Sequence, residues 1–222
     1  MTRFRNRTEA GRLLAARLAR HAGDANVLVL ALPRGGVPVA HEVARALGVP
    51  LDVFVVRKLG VPGHEELAMG AIASGGVRVI NREVVESLGL PPHVLDAAAA
   101  RETRELERRE RAYRAGRPAP AVRGRTVILV DDGIATGSTM LAAVRALRHL
   151  GAARIVAAAP TVAAATARTL LPAVDELVAV ITPEDFAGVG QWYEDFTQTT
   201  DEEVCQRLAA AQSPGPPTKE RP

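Results

Sequence analysis

The sequence predicts an α/β fold, a parallel sheet flanked by helices, with a β-hairpin insertion and a small appended subdomain. Three observations carry that prediction. Short, almost wholly apolar runs recur at 26–32, 126–130, 154–159 and 176–181, and stretches with helical spacing lie between them at 37–47, 138–150 and 163–171. The runs are apolar throughout rather than alternating, which is how a strand reads when helices cover both faces of its sheet. With 222 residues, 47% of them hydrophobic, the chain is long enough to bury one substantial core.

From the N-terminus, residues 8–21 set Leu13, Leu14 and Leu18 on one side among arginines, the pattern of an amphipathic helix capped by Thr8. The run 26–32 is stopped by Pro33-Arg34-Gly35-Gly36, and the helix over 37–47 ends at Gly48. Residues 51–56 read as another strand, and 69–73 and 77–80 flank Ser74-Gly75-Gly76 as a hairpin. One long helix spans 91–115. Its second half, 101–114, is dense in Arg and Glu, a solvated face held by charge pairs at helical spacing. The stretch 116–124, with two prolines, ends it. The remainder repeats strand, loop and helix. A single domain over 1–212 is expected, followed by a Pro-rich disordered tail at 213–222.

Composition narrows the function classes. The net charge is +3 and the arginines are interleaved with acids, so no dedicated nucleic-acid patch stands out. Aromatics at 3% supply few platforms for stacked bases. The single cysteine, Cys205, excludes a disulfide framework and a thiolate metal site. No apolar stretch reaches the length of a membrane span and no leader pattern opens the chain, so a soluble cytoplasmic protein is expected.

The most informative segment runs from Val127 to Met140, where an apolar strand enters Asp131-Asp132, then Gly133-Ile134-Ala135-Thr136-Gly137-Ser138-Thr139, then a helix. The loop offers one anion successive backbone N–H groups, three hydroxyls and the positive end of a helix dipole. It lacks the Gly-Lys-Ser/Thr ending of a nucleotide P-loop and the three-glycine spacing of a dinucleotide site. The adjacent carboxylates would repel a phosphate, so they must face something else, such as sugar hydroxyls or a hydrated cation.

These residues resemble the signature of the type I phosphoribosyltransferases, whose fold is a Rossmann-like parallel sheet topped by a small hood. The resemblance covers 27–200 and implies that Asp131 and Asp132 bind the 2- and 3-hydroxyls of ribose. Ala135, Thr136, Gly137, Ser138 and Thr139 would hold its 5-phosphate. Pro33-Arg34-Gly35-Gly36 follows the first core strand as the family's pyrophosphate loop does, so Arg34, Gly35 and Gly36 would grip pyrophosphate across a cis Pro33–Arg34 peptide. The segment 57–66, with Gly60, Pro62 and Gly63, corresponds to the mobile catalytic loop and would close over the site to exclude water. On it, Arg57 or Lys58 would reach pyrophosphate, and Glu65 or Glu66 would act in acid-base chemistry, with His64 a further candidate.

The implied donor is phosphoribosyl pyrophosphate (PRPP), with Mg2+ held mainly by the substrate near Asp131 and Asp132 and with no direct protein ligand. The implied acceptor is a small nitrogenous molecule, and a homodimer is the family's usual assembly. Ala135 stands where the hypoxanthine-guanine branch carries a proton-exchanging aspartate, which argues against that branch. The hood is expected from about 1–25 and 182–200, where Phe186, Trp192, Tyr193 and Phe196 gather. Trp192 and Tyr193 are the candidates for the acceptor pocket, although a small hood also needs aromatics for its own core. The rival reading is a regulator that keeps the fold and senses PRPP or a nucleotide with little turnover. A hydrolase using Asp131 as nucleophile lacks its partner groups.

Overall fold

A computed structural model describes residues 3–211, apart from the side chains of Glu65 and Glu66. The tail expected at 213–222 lies outside the described residues. Five strands, β1 (Val27–Ala31), β2 (Leu51–Val53), β6 (Thr126–Val130), β7 (Arg154–Thr161) and β8 (Glu176–Ile181), form a parallel sheet in the order β2-β1-β6-β7-β8. The expected α/β class is therefore the observed one.

Alternate residues of the central strands enter two separate cores, as the period of a strand requires. Val27, Val29, Ile128 and Val130 pack with Leu14, Val39, Val43 and Leu208 on one face. Leu28, Leu30, Val127 and Leu129 pack with Met140, Ala143, Leu147 and Leu170 on the other. The first face is covered by α1 (Arg7–Arg17), α2 (Gly36–Leu47) and α7 (Asp201–Ala210), the second by α5 (Ser138–His149) and α6 (Ala164–Leu170). Each fully buried Leu or Ile here contributes about 1.5–3 kcal/mol, so this two-sided filling fixes the C-terminal ends of β1 and β6 as rigid supports.

Helix α1 is capped by Asn6 rather than Thr8. Asn6 is extended, at φ −164°, and its side chain accepts from the Glu9 amide, which puts Thr8 inside the first turn. The helix expected over 91–115 is α4 (Pro92–Arg114). A short helix, α3 (Arg82–Ser87), opens at an Asn81 cap that the sequence reading passed over.

The larger departure is at 57–66. Instead of an open loop, β3 (Val56–Val61) and β4 (His64–Ala73) pair antiparallel, and β5 (Val77–Ile80) joins them as the expected hairpin. The pairing shifts register on both sides of Gly60, a bulge that lets a glycine sit within a strand. Strand β3 therefore starts where the parallel strand was expected to end, and β2 stops at Val53.

A third, small core joins the two ends of the chain. Phe4, Ala10, Trp192 and Tyr193 are buried together, with Phe186 and Val189 against them. The Phe4 amide donates to the Trp192 carbonyl at 2.9 Å, and the Glu194 amide donates to the Phe4 carbonyl at 2.9 Å.

Candidate active site

Strand β6 delivers the acidic pair. The Asp131 amide still donates to Ala158 of β7 at 3.1 Å, so the first acid continues the sheet by one residue. Asp131 Oδ1 then accepts from the Asp132 amide at 2.9 Å. The Tyr193 hydroxyl donates to the Asp132 carbonyl at 2.6 Å, and Arg7 Nε donates to Asp132 Oδ2 at 2.8 Å. The Arg7 and Asp132 side chains are only 11% and 13% exposed, so this ion pair is shielded from solvent screening. Removal from water, and then the Asp132 charge, push the Asp131 carboxyl above its usual range. The Tyr193 hydroxyl is also pushed up, by burial first and by Asp132 second, so it stays a donor.

The loop after β1 is pressed against these acids. Leu32 continues the sheet by donating to the Val130 carbonyl at 2.8 Å, the Pro33–Arg34 peptide is cis, and the Gly36 amide closes the turn on Leu32 at 3.1 Å. A Cβ on Gly35 would lie 2.0 Å from Asp132 Oδ2, and one on Gly36 would lie 2.7 Å from the Val130 carbonyl. Only backbone fits between the loop and the acidic pair.

The turn after Asp132 is stitched to the end of β7. The Ile134 amide donates to the Thr161 carbonyl at 2.9 Å, the Ala163 amide donates back to the Ile134 carbonyl at 2.9 Å, and the Thr166 hydroxyl donates to the Ala135 carbonyl. Gly137, at φ +74°, starts α5 without contributing a side-chain cap, so no capping side chain takes the first-turn amides of that helix. The Thr136 and Ser138 hydroxyls stand 3.2 Å apart beside them. Ala135, Thr136, Gly137, Ser138 and Thr139 thus form one continuous rim.

Other sequence-selected residues are engaged elsewhere. Arg34 Nη1 lies 3.9 Å from Asp201, which also accepts from the Tyr113 hydroxyl at 2.7 Å. Arg57 is turned to Glu102 of α4, with Nε at 2.8 Å and Nη2 at 2.6 Å. Lys58 follows it on β3, and Glu65 lies on β4 with its side chain outside the described atoms. Leu67, Ala68, Gly70 and Ala71 of β4 face Ser138 and Leu141 across a cleft of about 220 Å³, so the antiparallel ribbon borders the rim of α5. Trp192 and Tyr193 are 6% and 3% exposed, leaving Phe196, at 37%, as the more open ring.

Arg7 escaped the sequence reading. It lies 125 residues from Asp132, inside a helix that reads as an ordinary amphipathic one, and no local pattern marks it.

Comparison with known proteins bears on the family and the fold. The family model described as "Phosphoribosyl transferase domain" matches residues 3–188. A Mycobacterium tuberculosis (strain H37Rv) protein that carries the name of a phosphoribosyl transferase is 49% identical over 211 residues, covering 95% of this chain and 47% of its own length. The chain therefore spans about half the length of that curated relative. The crystal structure of TT1426 from Thermus thermophilus superposes with a TM-score of 0.86 at 44% identity, covering 94% of this chain and 99% of that one. A hypoxanthine/guanine phosphoribosyltransferase of Methanosarcina mazei is 30% identical over 129 residues, 58% of this chain and 48% of its own.

Proposed function

The chain belongs to the phosphoribosyl transferase family, and we propose that it transfers ribose 5-phosphate from PRPP to a nitrogenous acceptor with release of pyrophosphate. The observation that carries this reading is the direct packing of Gly35 and Gly36 on Asp132, Asp131 and the Val130 carbonyl. One ligand with a ribose over the acids would have its C1 substituent beside the Arg34–Gly36 loop and its 5-phosphate at the uncapped start of α5.

In the reaction the bond from C1 to the pyrophosphate oxygen breaks and a bond from C1 to the acceptor nitrogen forms, while the acceptor's proton leaves to a base. Asp131 and Asp132 hold the ribose hydroxyls and favour the positive charge that develops on the sugar. The amides of Gly35 and Gly36, with Arg34, take up charge on the leaving pyrophosphate. Arg57 and Lys58, on the neighbouring ribbon, supply further cationic charge once Arg57 exchanges Glu102 for the ligand. Glu65 is the candidate base. A purine is the first acceptor to try, with Trp192 and Tyr193 forming the floor of its pocket.

Among the described residues no three His, Cys, Asp or Glu side chains converge as a metal cage. Two hard carboxylates beside a pyrophosphate site fit a Mg2+ that keeps substrate and water oxygens as its ligands. When bound, the ion neutralises charge on pyrophosphate. We assign the protein to the cytoplasm, as a homodimer. No helix among the described residues is long and apolar enough to cross a membrane.

A second reading, a PRPP- or nucleotide-sensing regulator with little turnover, draws support from Arg57 being committed to Glu102. Pyrophosphate release from PRPP and Mg2+, followed across a panel of purines, pyrimidines and other amines, separates the two. Acceptor-dependent release supports the transferase; tight PRPP binding without release supports the regulator.

A further inference from the structure

The Arg7 guanidinium holds four features at once. Its Nε donates to Asp132 Oδ2 at 2.8 Å, its Nη1 donates to the Thr197 carbonyl at 2.8 Å, and its Cζ lies 4.0 Å from the Phe196 ring centroid and 5.9 Å from that of Tyr193. The backbone of α1 that carries it is fixed by the Asn6 cap and by Ala10 in the small third core. Asp132 is correspondingly held on every side. Arg7 takes Oδ2, Tyr193 takes the carbonyl, Asp131 takes the amide, and Gly35 lies against the carboxylate.

One group is left over. Among the described residues Asp132 Oδ1 has no hydrogen-bond donor, and a carboxylate accepts at about four lone-pair positions. A side chain with one oxygen clamped and the other open is oriented for a ligand hydroxyl. Without the clamp, two adjacent carboxylates in a shielded site repel each other and turn apart, and among the described residues Arg7 is the cation paired with the Asp132 carboxylate.

We propose that Arg7 is the positioning residue that sets ribose selectivity, aiming Asp132 Oδ1 at a sugar hydroxyl. This rests on the reading that the acidic pair receives the ribose of the donor. Arg7 touches Asp132 rather than the sugar, so its effect is on discrimination between sugars, and the 5-phosphate contacts of residues 135–139 are independent of it. The contacts to Thr197 and Phe196 make the 193–199 segment part of the same device, because the guanidinium keeps its angle only while that segment is packed over it.

The test is calorimetric titration of the full chain with ribose 5-phosphate, 2-deoxyribose 5-phosphate and inorganic phosphate, for the wild type, R7K and R7M. A hydrogen bond to a charged acceptor supports a wild-type preference for ribose over deoxyribose of about ten- to a hundred-fold. In R7M that ratio falls to within about three-fold of unity, in R7K it falls to an intermediate value, and the affinity for inorganic phosphate stays at the wild-type level in both. A folded R7M that keeps the wild-type ratio overturns the role of Arg7 and leaves the ribose site standing. A wild type that does not discriminate the two sugars overturns the ribose reading itself. If R7M does not fold, R7K decides: an ammonium cannot serve Asp132 and Thr197 together in the geometry of the fork, so an unchanged ratio in R7K overturns the proposal.

Discussion

Gly35 and Asp132 approach so closely that the first carbon of any side chain on Gly35 would sit 2.0 Å from the carboxylate oxygen that Arg7 binds. The glycine is therefore a condition for setting the Pro33–Gly36 loop directly against Asp132 on adjacent strands, more than a device for bending the chain.

The Gly35→Ala variant tests this. Either the loop or Asp132 must shift, at an overpacking cost of about 1–3 kcal/mol. PRPP affinity is expected to fall at least ten-fold in a calorimetric titration, while inorganic phosphate binds as before because the rim at 135–139 is untouched. Equal losses for both ligands would mean a general disruption rather than a local one.

The buried position of Asp131 has a consequence for stability against pH. Its carboxyl is raised above the ordinary 3.8 by burial and by Asp132. With the folded value above the unfolded one, the folded state binds more protons across the interval between them, so stability falls as pH rises from 3.8 through the folded value. Asp131→Asn keeps an oxygen for the Asp132 amide and removes the charge. It is expected to melt higher than wild type at pH 7, by about 2–4 °C per kcal/mol of repulsion relieved. The difference should shrink towards pH 4. Asp131→Asn with Asp132→Asn is expected to remain folded and to lose ribose 5-phosphate binding.

The parallel sheet was legible because each central strand is buried on both faces, which leaves an uninterrupted apolar run that loops do not have. The acids and the rim of α5 were legible because they are contiguous in sequence. The ribbon was not. Gly60, Pro62 and Gly63 signal a loop by local preference, and the bulge at Gly60 hides the pairing of Leu59 with Gly70. Arg7 was not legible for a different reason, since its role exists only through a contact made across 125 residues. Tyr193 stood out as an aromatic, but its hydroxyl bond to the Asp132 carbonyl needed the fold to be seen.

The pairing of Arg57 with Glu102 predicts an exchange. Glu102 is 9% exposed and tied to both Arg57 and Arg101, so the pyrophosphate role proposed for Arg57 requires it to leave a shielded partner. Glu102→Gln weakens that competing partner and is expected to raise affinity for inorganic pyrophosphate by about five-fold, roughly 1 kcal/mol. Arg57→Ala is expected to lower it by a similar factor. If neither variant alters pyrophosphate binding and both lower the melting temperature, Arg57 is only a brace between the ribbon and α4.

At the rim of residues 135–139, proposed above to hold phosphate, shape and chemistry can be separated through Gly137. Its φ of +74° costs an alanine about 1 kcal/mol, and the added Cβ would meet Thr166 Cγ2 at 2.6 Å. Thr166 cannot simply rotate away, because its hydroxyl donates to the Ala135 carbonyl of the same loop. Gly137→Ala is therefore expected to lose about 2–4 kcal/mol in urea unfolding and to weaken inorganic phosphate binding. Adding Thr166→Ser removes the obstructing methyl and keeps the hydroxyl, so the double variant should recover all but about 1 kcal/mol of stability, the backbone part alone. Phosphate affinity should return with it if the rim's backbone amides bind the anion, since those amides regain their places. Stability that returns without phosphate affinity would show that the anion binds elsewhere.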